Sequence, residues 1–236
     1  MTSTRNPWTY RTLLSASACA LIAVLPGVAL AGQKPCAEPL LADAEIYIVS
    51  HSTDADAQVI IAGGDEEGIT ELFITGPRGI VDIDADFEDG RTIGQADFQF
   101  DSTEPSLKEL KRAYPAGRYK FSATTTDGCT RSTALSLSYQ LLPAPVILFP
   151  VEGSTGVPTA DFTATWHAIA GAEAVRVQVE VEETAAAIAV DLRGDATSFH
   201  VPGDFLQPRV LYTMDVIGIA ENGNRTVADV QFTTVR

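Results

Sequence analysis

The stretch Leu206-Gln-Pro-Arg-Val-Leu-Tyr212-Thr-Met-Asp-Val-Ile-Gly-Ile219 decides the architecture of the second half of the chain. A proline at 208 cannot donate to a sheet ladder, so a strand starts after it rather than through it. From Val210 to Ala220 the residues alternate in the period of a strand. Tyr212 stands at the start of that strand, where its ring can be buried while its hydroxyl bonds back to the corner that precedes it. Asn222-Gly-Asn224 then supplies the residues that tolerate a positive φ in a tight turn. A further alternating run, Thr226–Thr233, returns as the last strand.

Period-2 runs dominate in both directions from this point. In the second half they are Phe162–Trp166, Ala174–Glu182, Ala187–Leu192 and Ser198–Val201. In the first half they are Ala44–Ser50, Gln58–Ala62, Thr70–Thr75, Ile80–Phe87, Arg118–Thr125 and Thr130–Tyr139. Short alternating strands punctuated by Gly, Pro, Asp and Asn predict an all-β fold of sandwiches or barrels. Gly63-Gly64 is read as a turn between two of them. One short helix is predicted: Glu104-Pro105 starts it, Leu107, Leu110 and Tyr114 share a face, and Pro115 ends it. Leu141-Leu-Pro-Ala-Pro145 places two prolines around one small residue, a stiff extended joint between domains. The expected organisation is therefore residues 32–142 and residues 143–236 as two tandem β-sandwiches.

The second half, from Pro145-Val-Ile-Leu-Phe-Pro150 through Phe162-Thr-Ala-Thr-Trp166 to Asn222-Gly-Asn224 and Phe232-Thr-Thr234, resembles a fibronectin type III domain. The resemblance implies that Trp166 is the buried tryptophan of the second strand. It implies that Leu206, Pro208 and Tyr212 form the family's tyrosine corner, so Trp166, Leu206 and Tyr212 are core residues. The first half is similar, less closely, to bacterial immunoglobulin-like modules. Pro115-Ala-Gly-Arg-Tyr119-Lys-Phe121 sets a corner tyrosine, Tyr119, two residues before an inward position, and Asp127-Gly128 makes a hairpin turn.

Residues 1–31 have the form of a secretory signal peptide. Arg5 and Arg11 flank an uncharged apolar run from Leu13 to Leu30, and Ala29-Leu30-Ala31 is a small-residue cleavage pattern. Pro26 and Gly27 break the run, and no basic stop-transfer flank follows it, so no membrane insertion is expected after cleavage. Cys19 is preceded by Ala16-Ser-Ala18, without the large aliphatic residue of a lipid-attachment site. Export to the periplasm or the medium is the expected location. There, Cys36 and Cys129 read as one structural disulfide closing most of the first half, a bridge of roughly 4–5 kcal/mol in the chain-entropy account. The net charge of −15 makes nucleic acid and anionic membranes poor partners.

Candidate chemistry is thin. Asp82, Asp84 and Asp86 are a weak calcium candidate, because closely spaced carboxylates can share the ion. Counted from Asp82, the EF-hand glycine and glutamate positions fall on Phe87 and Ile93. Strand alternation gives the plainer reading: Ile83, Ala85 and Phe87 inward, the aspartates in water. His51, His167 and His200 have no motif partner, and no nucleophile elbow, zinc-protease motif or phosphate loop is present. No catalytic residue, cofactor or metal is therefore assigned. Asn224-Arg-Thr226 is a glycosylation sequon that also fits a hairpin turn. The expected function is non-catalytic: an extracytoplasmic binding or scaffolding protein presenting two sandwiches to a protein or polysaccharide partner. This rests on the family resemblance. The alternative is a secreted hydrolase or metal-dependent enzyme with His51 beside a serine or clustered carboxylates in the first domain.

Overall fold

The computed structural model describes residues 41, 43–87, 93–160, 162–181, 184 and 186–235. The signal peptide, Cys19, Cys36 and the acidic residues Glu88 and Asp89 lie outside them. The described residues form fourteen strands, one α-helix and a single 3-10 turn at Pro77–Gly79: β1 Glu45–His51, β2 Asp56–Thr75, β3 Asp82–Asp86, β4 Gln95–Asp101, α1 Leu107–Ala113, β5 Gly117–Thr125, β6 Thr130–Leu137, β7 Ile147–Phe149, β8 Ser154–Val157, β9 Phe162–Trp166, β10 Ala174–Val181, β11 Ala186–Arg193, β12 Ser198–Val201, β13 Leu211–Ile219 and β14 Arg225–Thr234. It is an all-β fold, as the alternation predicts.

The first sandwich is built around β2, which is long enough to contribute to both of its layers. Its first part pairs β1 and β4, and its second part pairs β3 and β5, with β6 beyond β5. The two layers close on one core, with Ile46, Ile48, Val59 and Ile61 from one side meeting Leu72, Ile74, Tyr119 and Phe121 from the other. The expected turn at Gly63-Gly64 is corrected here, because β2 runs straight through it. The glycines are needed for close approach. A Cβ on Gly63 would sit 2.7 Å from the Phe98 ring, and one on Gly64 would sit 2.6 Å from Asp97 Oδ1. β4 is an addition to the predicted strands, carrying Phe98 into the core.

Helix α1 starts later than Glu104-Pro105. Ser106 is its N-cap, and its hydroxyl and the Glu109 carboxylate form a reciprocal capping box. The Ser106 hydrogen bonds hold the Glu109 carboxyl below the usual range. Leu110 is fully buried, and Leu107 and Tyr114 pack beside it against the first core.

The second sandwich sets the four strands β11-β10-β13-β14 against the three strands β12-β9-β7. Between them lies a second core that includes Phe162, Trp166, Val177, Tyr212, Met214 and Phe232. The neighbouring linker residues Leu141 and Leu142 diverge, one packing on the first core and the other on the second. The two sandwiches are also joined by a ladder. β1 pairs β14 in parallel at Val49↔Arg225, Ser50↔Thr226 and His51↔Val227. One eleven-stranded sheet therefore runs from β11 in the second sandwich to β6 in the first.

Candidate functional site

The polar group that closes the seam between the sandwiches is Asn224, in the turn from β13 to β14. Ala220 N–H donates to Asn224 O and Gly223 N–H to Ala220 O, each at 2.9 Å, and Gly223 takes φ +81°. This is a short hairpin loop in which glycine supplies the left-handed residue. The loop aims the Asn224 side chain away from its own sandwich. Its Oδ1 accepts from Ile48 N–H on β1 at 2.9 Å. Its Nδ2 donates to Ser138 O at 2.9 Å and Gln140 O at 3.0 Å, both in the segment after β6. Both amide N–H groups and the amide oxygen are thus engaged by the first sandwich and the linker, and the residue is 2% exposed.

Its neighbours repeat the pattern. Asn222 Nδ2 donates to Ser138 Oγ at 2.8 Å and to Gln140 O at 3.1 Å. Thr226 Oγ1 donates to Leu142 O at 3.2 Å. An open cleft of about 310 Å³ lies beside this joint, lined by Leu141, Leu142, Gly171, Ala220, Glu221 and Asn222. The sequon asparagine therefore does structural work: in the folded chain its amide is buried and bonded.

Sequence reading located this loop as a turn but not its reach across the seam. Spacing along one chain carries no mark of a contact with residues more than eighty positions away. The Asp65–Arg131–Asp127 cluster was missed for the same reason. Arg131 Nη1 lies 3.1 Å from Asp65 Oδ2 and Nη2 lies 3.8 Å from Asp127 Oδ2, tying the bend of β2 to the β5–β6 hairpin. Cys129 is buried in that hairpin, where its N–H donates to Asp127 Oδ1. Its expected partner, Cys36, is outside the described residues.

The other candidate residues are placed apart. His51 ends β1, with Nε2 4.0 Å from Glu104 Oε1. Ser50 points to the opposite face of the strand, and the Ser52 hydroxyl is committed to Val227 O. His167 is exposed, and His200 is an exposed residue of β12. Asp82, Asp84 and Asp86 all face solvent along β3. Alternate strand residues lie about 6.5–7 Å apart, whereas a calcium ion draws its oxygens to about 2.3–2.6 Å. Among the described residues no group of three His, Cys, Asp or Glu converges on a possible metal position. Millimolar calcium is accordingly expected to move the melting temperature by less than about 1 °C. A calorimetric scan with and without chelator checks this, and a rise of several degrees would show that the aspartates converge in solution.

The core residues define the second sandwich. Trp166 is 1% exposed, and its Nε1 donates to Ala196 O at 2.9 Å. The Tyr212 hydroxyl accepts from Gln207 N–H at 2.7 Å and donates to Phe205 O at 3.3 Å, closing the corner above the buried Leu206. With four strands facing three in the order given above, the arrangement is decided. The second sandwich is fibronectin type III-like. The first sandwich repeats the corner: Tyr119 is fully buried and its hydroxyl donates to Pro115 O at 3.0 Å. Burial raises its pKa above the ordinary tyrosine value.

No protein-family model matches the chain, and no curated protein matches it. Solved structures similar to it include the FN1–FN3 domains of chicken CNTN1, at 12% identity over 85% of this chain and 69% of that one, with a TM-score of 0.33. The fibronectin(III)-like modules of Clostridium thermocellum CbhA match at 9% identity, 81% and 94% coverage and a TM-score of 0.33. A two-domain fibronectin type III segment of chicken tenascin matches at 13% identity, 81% and 98% coverage and a TM-score of 0.31.

Proposed function

We propose that this chain is a non-catalytic, extracytoplasmic binding or scaffolding protein, whose two sandwiches act as one body that presents surfaces to a protein or polysaccharide partner. The observation that carries the reading is the seam. Two domains meant to move independently need only a linker, and interfaces within a chain ordinarily leave domain motion possible. Here a parallel ladder crosses the boundary, and a buried amide bonds across it through both its nitrogen and its oxygen. A fixed spacing between two surfaces is useful to a scaffold, because a second contact gains affinity only when geometry allows both together. The expected signal peptide and the expected Cys36–Cys129 bridge support the extracytoplasmic part of the reading, and the acidic charge disfavours nucleic acid as the partner.

The test has two arms. Small-angle scattering on the purified protein should give one well-defined length that does not broaden with temperature below the melting transition. Immobilised protein should retain a component of the envelope or culture medium of its source. A distribution of interdomain angles would remove the rigid-scaffold reading. Absence of retention from every envelope and medium fraction would remove the binding one.

A further inference from the structure

The free sheet edges of this protein are blunted in different ways. β3 carries Asp82, Asp84 and Asp86 on its exposed side, and β4 carries Asp97 and Asp101. β7 is three residues long and stands between Pro145 and Pro150. β8 and β12 are four residues each. β6 carries Arg131, ion-paired with Asp65 and Asp127, and only its exit runs into the seam, where Asn222 and Asn224 bond to Ser138 and Gln140. Charge, proline, brevity and cover are the usual means by which a native edge refuses another strand.

β11 has none of them over most of its length. It is terminal in the eleven-stranded sheet and keeps unbroken antiparallel register with β10 over eight residues, Ala186–Arg193. It contains no proline, and from Ala186 to Val190 it carries no charge. Gly194 N–H donates to Glu173 O at 3.1 Å, which turns the backbone of Gly194 toward β10. The alternation of an antiparallel ladder then turns the N–H and C=O of Ala187, Ala189 and Asp191 outward, with the Arg193 carbonyl taken by Ala196 N–H in the following turn. At Ala187 and Ala189 only a methyl flanks these groups. The first charge met is Asp191, and Arg176 already grips it in bidentate fashion, with Nε and Nη2 each 2.6 Å from a carboxylate oxygen. That contact holds the Asp191 carboxyl below the usual range.

We propose that β11 is a self-association edge, through which two copies of this chain pair antiparallel about a two-fold axis at Ala189. The outward groups fall on odd-numbered residues, and a register centred on Ala189 pairs odd with odd, so the edge complements itself as a two-fold interface requires. In that register Asp191 faces the partner's Ala187, and no like charges stand directly opposite one another. The contact is small, below the roughly 1,200 Å² of standard interfaces, so dissociation constants on the order of 10–100 µM are expected. Each copy carries a net charge of −15, so the bodies repel even though the edge does not. Association therefore tightens as salt screens the repulsion, the reverse of an ion-pair interface. This proposal stands independently of the scaffold reading.

Sedimentation equilibrium on the purified protein from about 5 to about 500 µM, in about 0.1 and about 0.5 M salt, tests it. The expected result is a monomer–dimer equilibrium that tightens several-fold at the higher salt. Ala189→Lys, which sets two ammonium groups against each other at the axis, should weaken the dimer at least about 10-fold. Ser132→Lys on the β6 edge should leave it unchanged. If circular dichroism shows that A189K does not fold, A187K takes its place. A monomer across the whole range in both salts overturns the proposal, and so does a dimer that the β11 lysine leaves intact or that S132K abolishes.

Discussion

Replacing Asn224 with alanine is expected to destabilise the fold by about 2–5 kcal/mol and to loosen the joint between the sandwiches. Truncation leaves Ile48 N–H and Ser138 O without their partner, and each uncompensated buried polar group costs about 1–3 kcal/mol. Gln140 O keeps its bond from Asn222 and is largely spared. The parallel ladder beside the loop spans only three residue pairs, and a small apolar cluster of Tyr47, Val49 and Ile60 against Ile217 and Val227 shares the joint with it. Urea unfolding measures the loss, and scattering measures the wider spread of lengths. Asn224→Asp sharpens the test, because it keeps the acceptor for Ile48 but turns the two donors into a carboxylate facing two carbonyls. Such a carboxylate has its folded-state pKa raised above the ordinary aspartate value of about 3.9. Its deficit is therefore full at pH 7 and shrinks as pH falls through that raised value, since the protonated form donates again. A variant within about 0.5 kcal/mol of the parent, with unchanged scattering, would show that water replaces the amide at no loss and that the ladder and the apolar cluster beside it fix the seam.

How far the sequence alone leads can be followed residue by residue. Phe162–Trp166 and Ser198–Val201 match their observed strands, and most other strands shift by a residue or two at their ends. In these segments alternation and burial agree, so a local pattern is enough. Gly63-Gly64 misled because glycine signals two different things: a left-handed turn, or a place where another chain segment must come close. Only the position of Phe98 decides between them, and that position is tertiary. The capping box at Ser106 and Glu109 was legible but was passed over for the proline beside it. The seam was the least legible part. Asn222-Gly-Asn224 announces a hairpin turn, and nothing in those three residues states that the side chains bond to the segment at 138–140. Likewise, the absence of a gatekeeper on β11 became visible only once its outer neighbour was known to be missing from the sheet.

The seam also determines what a large core lesion will do. Trp166→Ala removes a side chain that is 1% exposed and takes away the donor to Ala196 O. Truncating a buried tryptophan costs about 3–5 kcal/mol, a large part of the about 5–15 kcal/mol that a native domain has. At about 2–4 °C per kcal/mol for a chain of this size, the melting temperature should fall by about 6–20 °C. The form of the transition is more informative than its midpoint. Trp166 lies in the second core and touches nothing in the first, yet β14, which closes that second core with Phe232, also pairs with β1. Unfolding the second sandwich therefore strips β1 of its parallel neighbour and Ile48 of its acceptor. With the seam intact, W166A should shift a single calorimetric transition downward as a whole. With the seam weakened, in the double variant W166A/N224A, the second sandwich should melt ahead of the first and the transition should broaden or split in two. Two transitions in W166A alone would show that the shared sheet joins the sandwiches in space without coupling their stability, and the rigid-body reading would lose its energetic basis.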